Sequence, residues 1–284
     1  MTTRWIDETL YPSWGQRLRV DKVLFEDKTE HQHLVIFENA SHGRVMMLDG
    51  AVQVTLADEW VYHEMMSHVP LFALNEPKNV LVIGGGDGGI LREVLKHQTV
   101  KTATLCEIDR TVVDMSAKYF PEISAGAFDN PHTEIIIADG VKFVSETNLK
   151  FDAILVDSTD PVGPGAVLFT KNFYASCRRC LKKGGVLVTQ NGVPFMQADE
   201  LKQSVTHFRA LFKDGGCYLA TVPTYAGGQM AFGWASDDHK LKSVKLGDIR
   251  ERFEAADIAT KYYTPAVHKA AFALPAFIER IIAP

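Results

Sequence analysis

Apolar positions along the chain fall into two regimes that change near residue 58. Before it, short alternating runs such as "KVLFED", "HLVIFEN", "GRVMMLDG" and "AVQVTLAD" are split by Asn, Gly and Asp. That punctuation predicts a small antiparallel β domain over residues 1–57. From Asp58 to Leu74, Trp60, Met65, Met66, Val69 and Leu74 recur at helical spacing, and Pro70 is expected to kink or end that helix. Beyond it, β and α patterns alternate. "NVLVI" runs into a glycine loop and a helix through His97, and "TATLCEID" precedes "RTVVDMSAKYF". "TEIIIAD" precedes "GVKFVSET", "FDAILVD" runs into a long loop and the helix "TKNFYASCRRCL", and "GGVLVTQNG" precedes a helix near Ala198–Phe212. "GCYLATVPTY" and "GGQMAFGWASD" read as an antiparallel pair joined by a short turn.

Near-continuous β-branched runs suit parallel strands covered on both faces. Five such units and a closing hairpin resemble the Rossmann-like, seven-stranded sheet of adenosylmethionine-dependent transferases. The expected α/β architecture is therefore an N-terminal β domain, 1–57, and a catalytic domain, 58–284.

Ligands of open parallel sheets sit beyond the carboxyl ends of the strands. Four successive ends carry an acid: Asp87, Glu107, Asp139, and Asp157 with Asp160 close behind. Any one of them could be a helix cap or a turn acid; four on one rim point to a site. Gly84, Gly86 and Gly89 fit G-x-G-x-x-G, a loop that ordinarily receives phosphate on free backbone N–H groups. Asp87 inside that loop changes the expectation. A pyrophosphate against it would be a like-charge contact costing a few kcal/mol at intermediate dielectric, so the ligand there is expected to be a cation. Glu107, about 20 residues past the loop, stands where an acid binds ribose hydroxyls. Asp139 stands where adenosylmethionine enzymes commonly read adenine. "DSTDPVGPGAVLFT" sets two carboxylates at the base of a Pro- and Gly-restricted loop, as a lid over an amine would.

"GGGDGG", "EID", "DG", "DSTDP.GP" and "YHEMM.HVPL", with "VLFEDKTEHQ", "LDGAVQ", "QNG", "PTYAGG" and "FALP", resemble the polyamine aminopropyltransferases, most closely the bacterial spermidine synthases. The likeness covers essentially the whole chain. It implies transfer of an aminopropyl group from decarboxylated S-adenosylmethionine to putrescine, giving spermidine and 5′-methylthioadenosine. It implies that Gln32 and Gln53 contact the donor, Asp87 its ammonium, Glu107 its ribose, and Asp139 with Gly140 its adenine, while Pro164 closes over the nucleoside. Tyr62, His63, Asp87, Asp157, Ser158, Thr159, Asp160, Gln190 and Tyr225 would form the amine site, with Asp157 as base or orienter. No metal and no cofactor are implied; the decarboxylated donor is a co-substrate. A homodimer or homotetramer formed through the N-terminal β domain is expected.

Composition narrows the alternatives. In 284 residues, 46% hydrophobic and 23% charged, nothing departs from a globular norm, and a net charge of −5 argues against a nucleic-acid surface. The first twenty residues hold no apolar run and no window nears the length of a membrane span. Four cysteines make no disulfide framework, so a reducing cytoplasmic setting is expected. "HEMMSH" has one residue too many for H-E-x-x-H, and residues five apart, His63 and His68, do not share a helix face. "CRRC" lies inside a predicted helix and reads as helix surface and core. His31, His33, His42 and His268 read as turn or satisfied polar residues, His31 next to a site residue, and Met65–Met66 as core. An ordinary methyltransferase shares Glu107 and Asp139 but must tolerate the methionine carboxylate that Asp87 disfavours. A non-catalytic polyamine-binding protein would not require Asp157, Asp160 and Tyr62 together.

Overall fold

A computed structural model describes residues 4–160 and 163–284, with 163 and 164 as backbone only. Strands β1 (Arg4–Asp7) and β2 (Arg17–Val20) form a two-stranded antiparallel sheet. β3 (Lys22–Lys28), β4 (His33–Asn39), β5 (Gly43–Leu48) and β6 (Ala51–Thr55) form a four-stranded meander. The meander matches the alternating runs. β1 and β2 were not legible, because "RWID" and "RLRV" are too short and too charged to show a two-residue period.

Helix α1 (Glu59–Ala73) follows. Of the two outcomes expected at Pro70, the helix does not end there: it runs on to Ala73, within the span from Asp58 to Leu74 that the spacing predicts. Its last turn is held from outside: Arg252 Nη1 donates to the carbonyls of Phe72 and Ala73 at 2.8 and 2.9 Å. All of α1 except Trp60 is buried.

The remainder alternates: β7 (Asn79–Gly84), α2 (Gly89–Leu95), β8 (Thr102–Glu107), α3 (Arg110–Tyr119), α4 (Pro121–Ser124), β9 (Thr133–Ile137), α5 (Gly140–Glu146), β10 (Phe151–Asp157), α6 (Lys171–Cys180), β11 (Leu181–Gln190) and α7 (Ala198–Leu211). β12 (Asp214–Ala220) and β13 (Met230–Ser236) pair antiparallel, and α8 (Leu246–Ala256), α9 (Pro265–Ala271) and α10 (Ala276–Ile281) end the chain. The loop after β10 contains a 3-10 helix over Gly163–Phe169. The expected short turn between β12 and β13 is instead a connection over residues 221–229, and it carries site residues.

The seven strands run in the order β12-β13-β11-β10-β7-β8-β9, the Rossmann-like sheet with its antiparallel end. Side chains alternate across it. Val80, Val82, Ala153 and Leu155 face a core with α1, α2 and α8. Leu81, Ile83, Ile154 and Val156 face one with α5, α6, α7 and α10. After β7 the chain builds outward through β8 and β9, then returns to place β10 on the other side of β7. That reversal opens a crevice between the carboxyl ends of β7 and β10, where Asp157 pairs in register with Gly84. Among the described residues no helix is long and apolar enough to cross a membrane.

Candidate active site

A cavity of about 300 Å³ occupies that crevice. Its walls come from the sheet ends, from α1, from the 221–229 connection and from the N-terminal strands. Of the donor residues expected from sequence, Gln32, Gln53, Asp87, Glu107, Asp139 and Gly140 line it. So do the amine-site candidates Tyr62, His63, Asp157, Ser158, Thr159, Asp160, Gln190 and Tyr225. The Pro164 side chain lies outside the described residues, as do Pro161 and Val162.

The strand-end acids line the cavity, and three of them accept backbone N–H groups where helices begin. Asp139 is the N-cap of α5, accepting from Val141 N at 2.7 Å. Asp87 Oδ1 accepts from Gly89 N at 2.7 Å at the start of α2. Glu107 accepts from Asp109 N at 2.9 Å. The cap reading is therefore correct for Asp139; Asp87 and Glu107 accept turn N–H groups beside the caps Gly88 and Asp109, and the sheet topology gathers these carboxylates and Asp157 onto one rim. Two glycines let the elements close up. Gly84 has φ +75° and a Cβ there would overlap the Asp157 carbonyl; a Cβ on Gly89 would overlap the His63 ring.

Asp157 sits among charges that set its proton affinity. Burial and the nearby Asp87 carboxylate raise it, while the Tyr62 hydroxyl, which donates to Asp157 Oδ1 at 2.6 Å, and His63 lower it. The balance lies at about 7, against 3.8 for an ordinary aspartate. Burial and Asp157 hold the Tyr62 phenol well above its usual range, so it stays a donor. Tyr225 meets Tyr62 edge-on with centroids 5.8 Å apart and donates to the Gln53 carbonyl at 2.6 Å. Burial likewise carries Glu107 up to about 7 despite the backbone N–H groups of Asp109 and Ile108.

His63 is buried between two acids. Nδ1 lies 2.6 Å from Glu59 and Nε2 3.2 Å from Asp87. Burial would lower its proton affinity, but the two carboxylates outweigh burial and raise it to about 10, which keeps the ring cationic at neutral pH. Asp87 is held below its usual range, the pull of His63 and the Gly89 N–H exceeding the cost of burial.

A second acidic group, absent from the sequence reading, closes the cavity beyond Asp160. Gln197 Nε2 donates to Asp160 and, at 2.9 Å, to Glu200, while its Oε1 accepts from the Tyr11 hydroxyl at 2.8 Å. Burial raises Asp160, Glu8 and Glu200, the last to about 8. Glu8 and Tyr11 come from the connection between β1 and β2, and no motif marks them. Gln32 touches Asp109 Oδ2 at 3.1 Å, which ties the β3–β4 turn to the start of α3.

The remaining sequence candidates are accounted for by packing. His68 belongs to a different buried network from His63, 2.9 Å from both Glu93 and His97. His268 bonds the Tyr263 hydroxyl at 2.9 Å, and burial lowers it to about 3. His31 lines the cavity, while His33 faces Glu26 at 3.6 Å and His42 faces Asn39 at 3.1 Å. In "CRRC", Cys177 and Cys180 pack in the core and Arg178 and Arg179 are exposed, the helix core and surface expected of that stretch. Met65 and Met66 are core.

Comparison with known proteins gives a consistent picture. The family described as the spermine/spermidine synthase domain matches residues 59–245, and the spermidine synthase tetramerisation domain matches residues 4–55. The chain is 54% identical over 275 residues to polyamine aminopropyltransferase 1 of Pseudomonas aeruginosa, covering 97% of this chain and 96% of that one. It is 53% identical over 277 residues to the polyamine aminopropyltransferase of a Ruegeria species, covering 98% of each. It is similar to a crystal structure of spermidine synthase in complex with the transition state analogue AdoDATO, with TM-score 0.93, 38% identity, and coverage of 98% and 94%. It is also similar to spermidine synthase from Thermotoga maritima, with TM-score 0.90, 36% identity and the same coverage.

Proposed function

The chain belongs to the spermine/spermidine synthase family of polyamine aminopropyltransferases, and on that premise we propose that it is a spermidine synthase, moving the aminopropyl group of decarboxylated S-adenosylmethionine to putrescine. The observation that carries this reading is the distribution of acid along one cavity. Asp87 and Asp157 stand together at the crevice, and Asp160 and Glu8 line its other side, with Glu200 behind Gln197. A diamine has a cation at each end and suits two acidic groups. A donor without its carboxylate presents a sulfonium and an ammonium to the same acids.

Each candidate has a role in this reading. Gln32 and Gln53 contact the donor, Glu107 takes its ribose hydroxyls, Asp139 and Gly140 its adenine, and Asp87 its ammonium. Pro164 closes over the nucleoside. His63, Ser158, Thr159, Gln190 and Tyr225 line the amine channel, and Asp160 anchors the distal ammonium.

The acceptor nitrogen attacks the carbon next to the sulfonium in line with the C–S bond. The N–C bond forms, the C–S bond breaks, and its electron pair leaves on a neutral thioether that needs no proton. An alkylammonium has no lone pair, so one proton must first pass to a base. Between an aspartate near 4 and an amine near 10 that step is steeply uphill. With Asp157 raised to about 7, about half of the gap is gone. Tyr62 holds the accepting carboxylate in place, and positioning of the two reactants supplies much of the remaining acceleration. The enzyme acts in the cytoplasm, without metal or cofactor, as a homodimer or homotetramer assembled through its N-terminal β domain.

Product analysis tests the reading. Purified protein with putrescine and the decarboxylated donor is expected to yield spermidine and 5′-methylthioadenosine in equal amounts. A methylated amine from intact S-adenosylmethionine would establish the methyltransferase instead, and binding without turnover of either donor would establish a polyamine-binding protein. Cadaverine, agmatine and spermidine in the same assay rank the acceptors.

A further inference from the structure

The Asp87–His63 pair tempers the charge that Asp87 presents to a cation. A carboxylate already paired to an imidazolium presents little net charge to a ligand. What holds that pair stands one side chain further back. Glu59, one turn before His63 on α1, takes the opposite ring nitrogen at 2.6 Å. Two carboxylates then flank one imidazolium. Arg92 from α2 holds Glu59 through Nη1 at 3.3 Å and Nη2 at 2.9 Å. Arg92 is itself fixed by Glu93 at 2.6 Å and by the Ile123 carbonyl at 2.8 Å. Glu59 and His63 are buried, with side chains 8% and 2% exposed, and the His63 ring lies flush on Gly89. Glu59 does not line the cavity that holds the sequence-predicted residues.

We propose that Glu59 is a positioning residue of the transfer site: gripped by Arg92, it holds the His63 ring, as a doubly protonated cation, against Asp87 and beside Asp157. The inference rests on the aminopropyl-transfer reading of the site. The groups that face His63 are Glu59 on α1, Asp87 in the glycine loop, the edge-on Tyr62 phenol, and, further off, Arg92 on α2 and Asp157 on β10. Removal of Glu59's charge leaves burial and Arg92 opposing the imidazolium, with Asp87 alone favouring it. Once His63 is neutral, Asp157 loses a cation that lowers its proton affinity, and Asp87 becomes an uncompensated anion that raises it. Both changes act in the same direction.

The test is a pH titration of the His63 ring nitrogens by 15N NMR in the ligand-free protein, paired with kcat and KM profiles. In the wild type His63 is expected to stay doubly protonated at pH 8; a neutral ring there would overturn the proposal without any substitution. In Glu59→Gln the ring is expected to lose its proton below pH 8. The acid limb of kcat/KM should move up by about one pH unit and kcat at pH 7 should fall about tenfold. Binding of 5′-methylthioadenosine should stay within about twofold, and Glu59→Asp should recover part of the loss. Arg92→Lys, which keeps the charge but loses the two-pronged grip, should move the titration the same way and serves where Glu59→Gln does not fold. An unmoved His63 titration in the folded variants would overturn the proposal. The NMR arm needs no substrate, so a protein that makes no spermidine would refute the transfer reading while leaving the charge state of His63 decided on its own.

Discussion

Asp157 is an aspartate whose surroundings change what it can do. Burial and Asp87 raise its proton affinity to about 7, so it is ionised only at the upper end of the neutral range. Because a base acts in its ionised form, kcat/KM should rise with pH through about 7 and level off above it. Asp157→Asn should remove that limb and cut turnover at least about a hundredfold while leaving 5′-methylthioadenosine binding nearly intact. The linkage has a definite sign. A carboxyl with raised affinity binds more protons folded than unfolded between about pH 4 and 7, so it subtracts stability as pH rises through that window. Ligand-free Asp157→Asn should therefore melt higher than wild type at pH 8 and no higher at pH 4, as scanning calorimetry at the two pH values would read. Near wild-type turnover, or a melting difference independent of pH, would remove this role. The sequence marked Asp157 by its place at a strand end, but not its proton affinity. That depends on Tyr62 and Asp87, which lie on α1 and beyond β7 and meet it only in the folded sheet.

The elements divide by the range of the forces that shape them. The parallel strands were legible because burial on both faces writes a continuous apolar run. β1 and β2 were not, since four residues leave no period to read. Pro70 lies inside α1, which runs on to Ala73, and Arg252 takes the carbonyls of that last turn. The connection between β12 and β13 is the clearest case of tertiary control. Asp58, just before α1, accepts from Thr224 N at 2.6 Å and from the Thr224 hydroxyl, and its other oxygen accepts from Thr55 at 2.7 Å. Those buried bonds moor the connection that carries Tyr225. Thr224→Val keeps the shape and removes the hydroxyl bond to a carboxylate, which should cost about 1–3 kcal/mol in denaturant unfolding. If the mooring sets Tyr225, KM for putrescine should rise several-fold with 5′-methylthioadenosine affinity unchanged; a stability loss with unchanged KM would make Asp58–Thr224 structural alone.

Across the whole molecule, one cavity draws walls from segments more than two hundred residues apart, from Glu8 to Met230. The strand-end acids were visible in sequence because topology puts every carboxyl end of a parallel sheet on one rim. The second acidic group was not, because Glu8, Tyr11 and Gln197 belong to connections with no period and no motif, and Glu200 is one acid among others in the first turn of α7. In the proposed reading of the glycine loop, Asp87 stands where a phosphate would bind in other folds, braced by His63 and Gly89, and selects a cation instead. At about 4 Å and an effective dielectric near 20, one such contact is worth up to about 4 kcal/mol, and the brace and pocket water reduce it. Calorimetry on wild type and Asp87→Asn with three ligands tests this most directly: the decarboxylated donor, intact S-adenosylmethionine and 5′-methylthioadenosine. The substitution is expected to weaken the decarboxylated donor and to narrow discrimination against S-adenosylmethionine by at least about tenfold, with 5′-methylthioadenosine nearly unchanged. Equal losses for all three ligands would contradict the account, because Asp87 would then be shaping the loop and not reading charge.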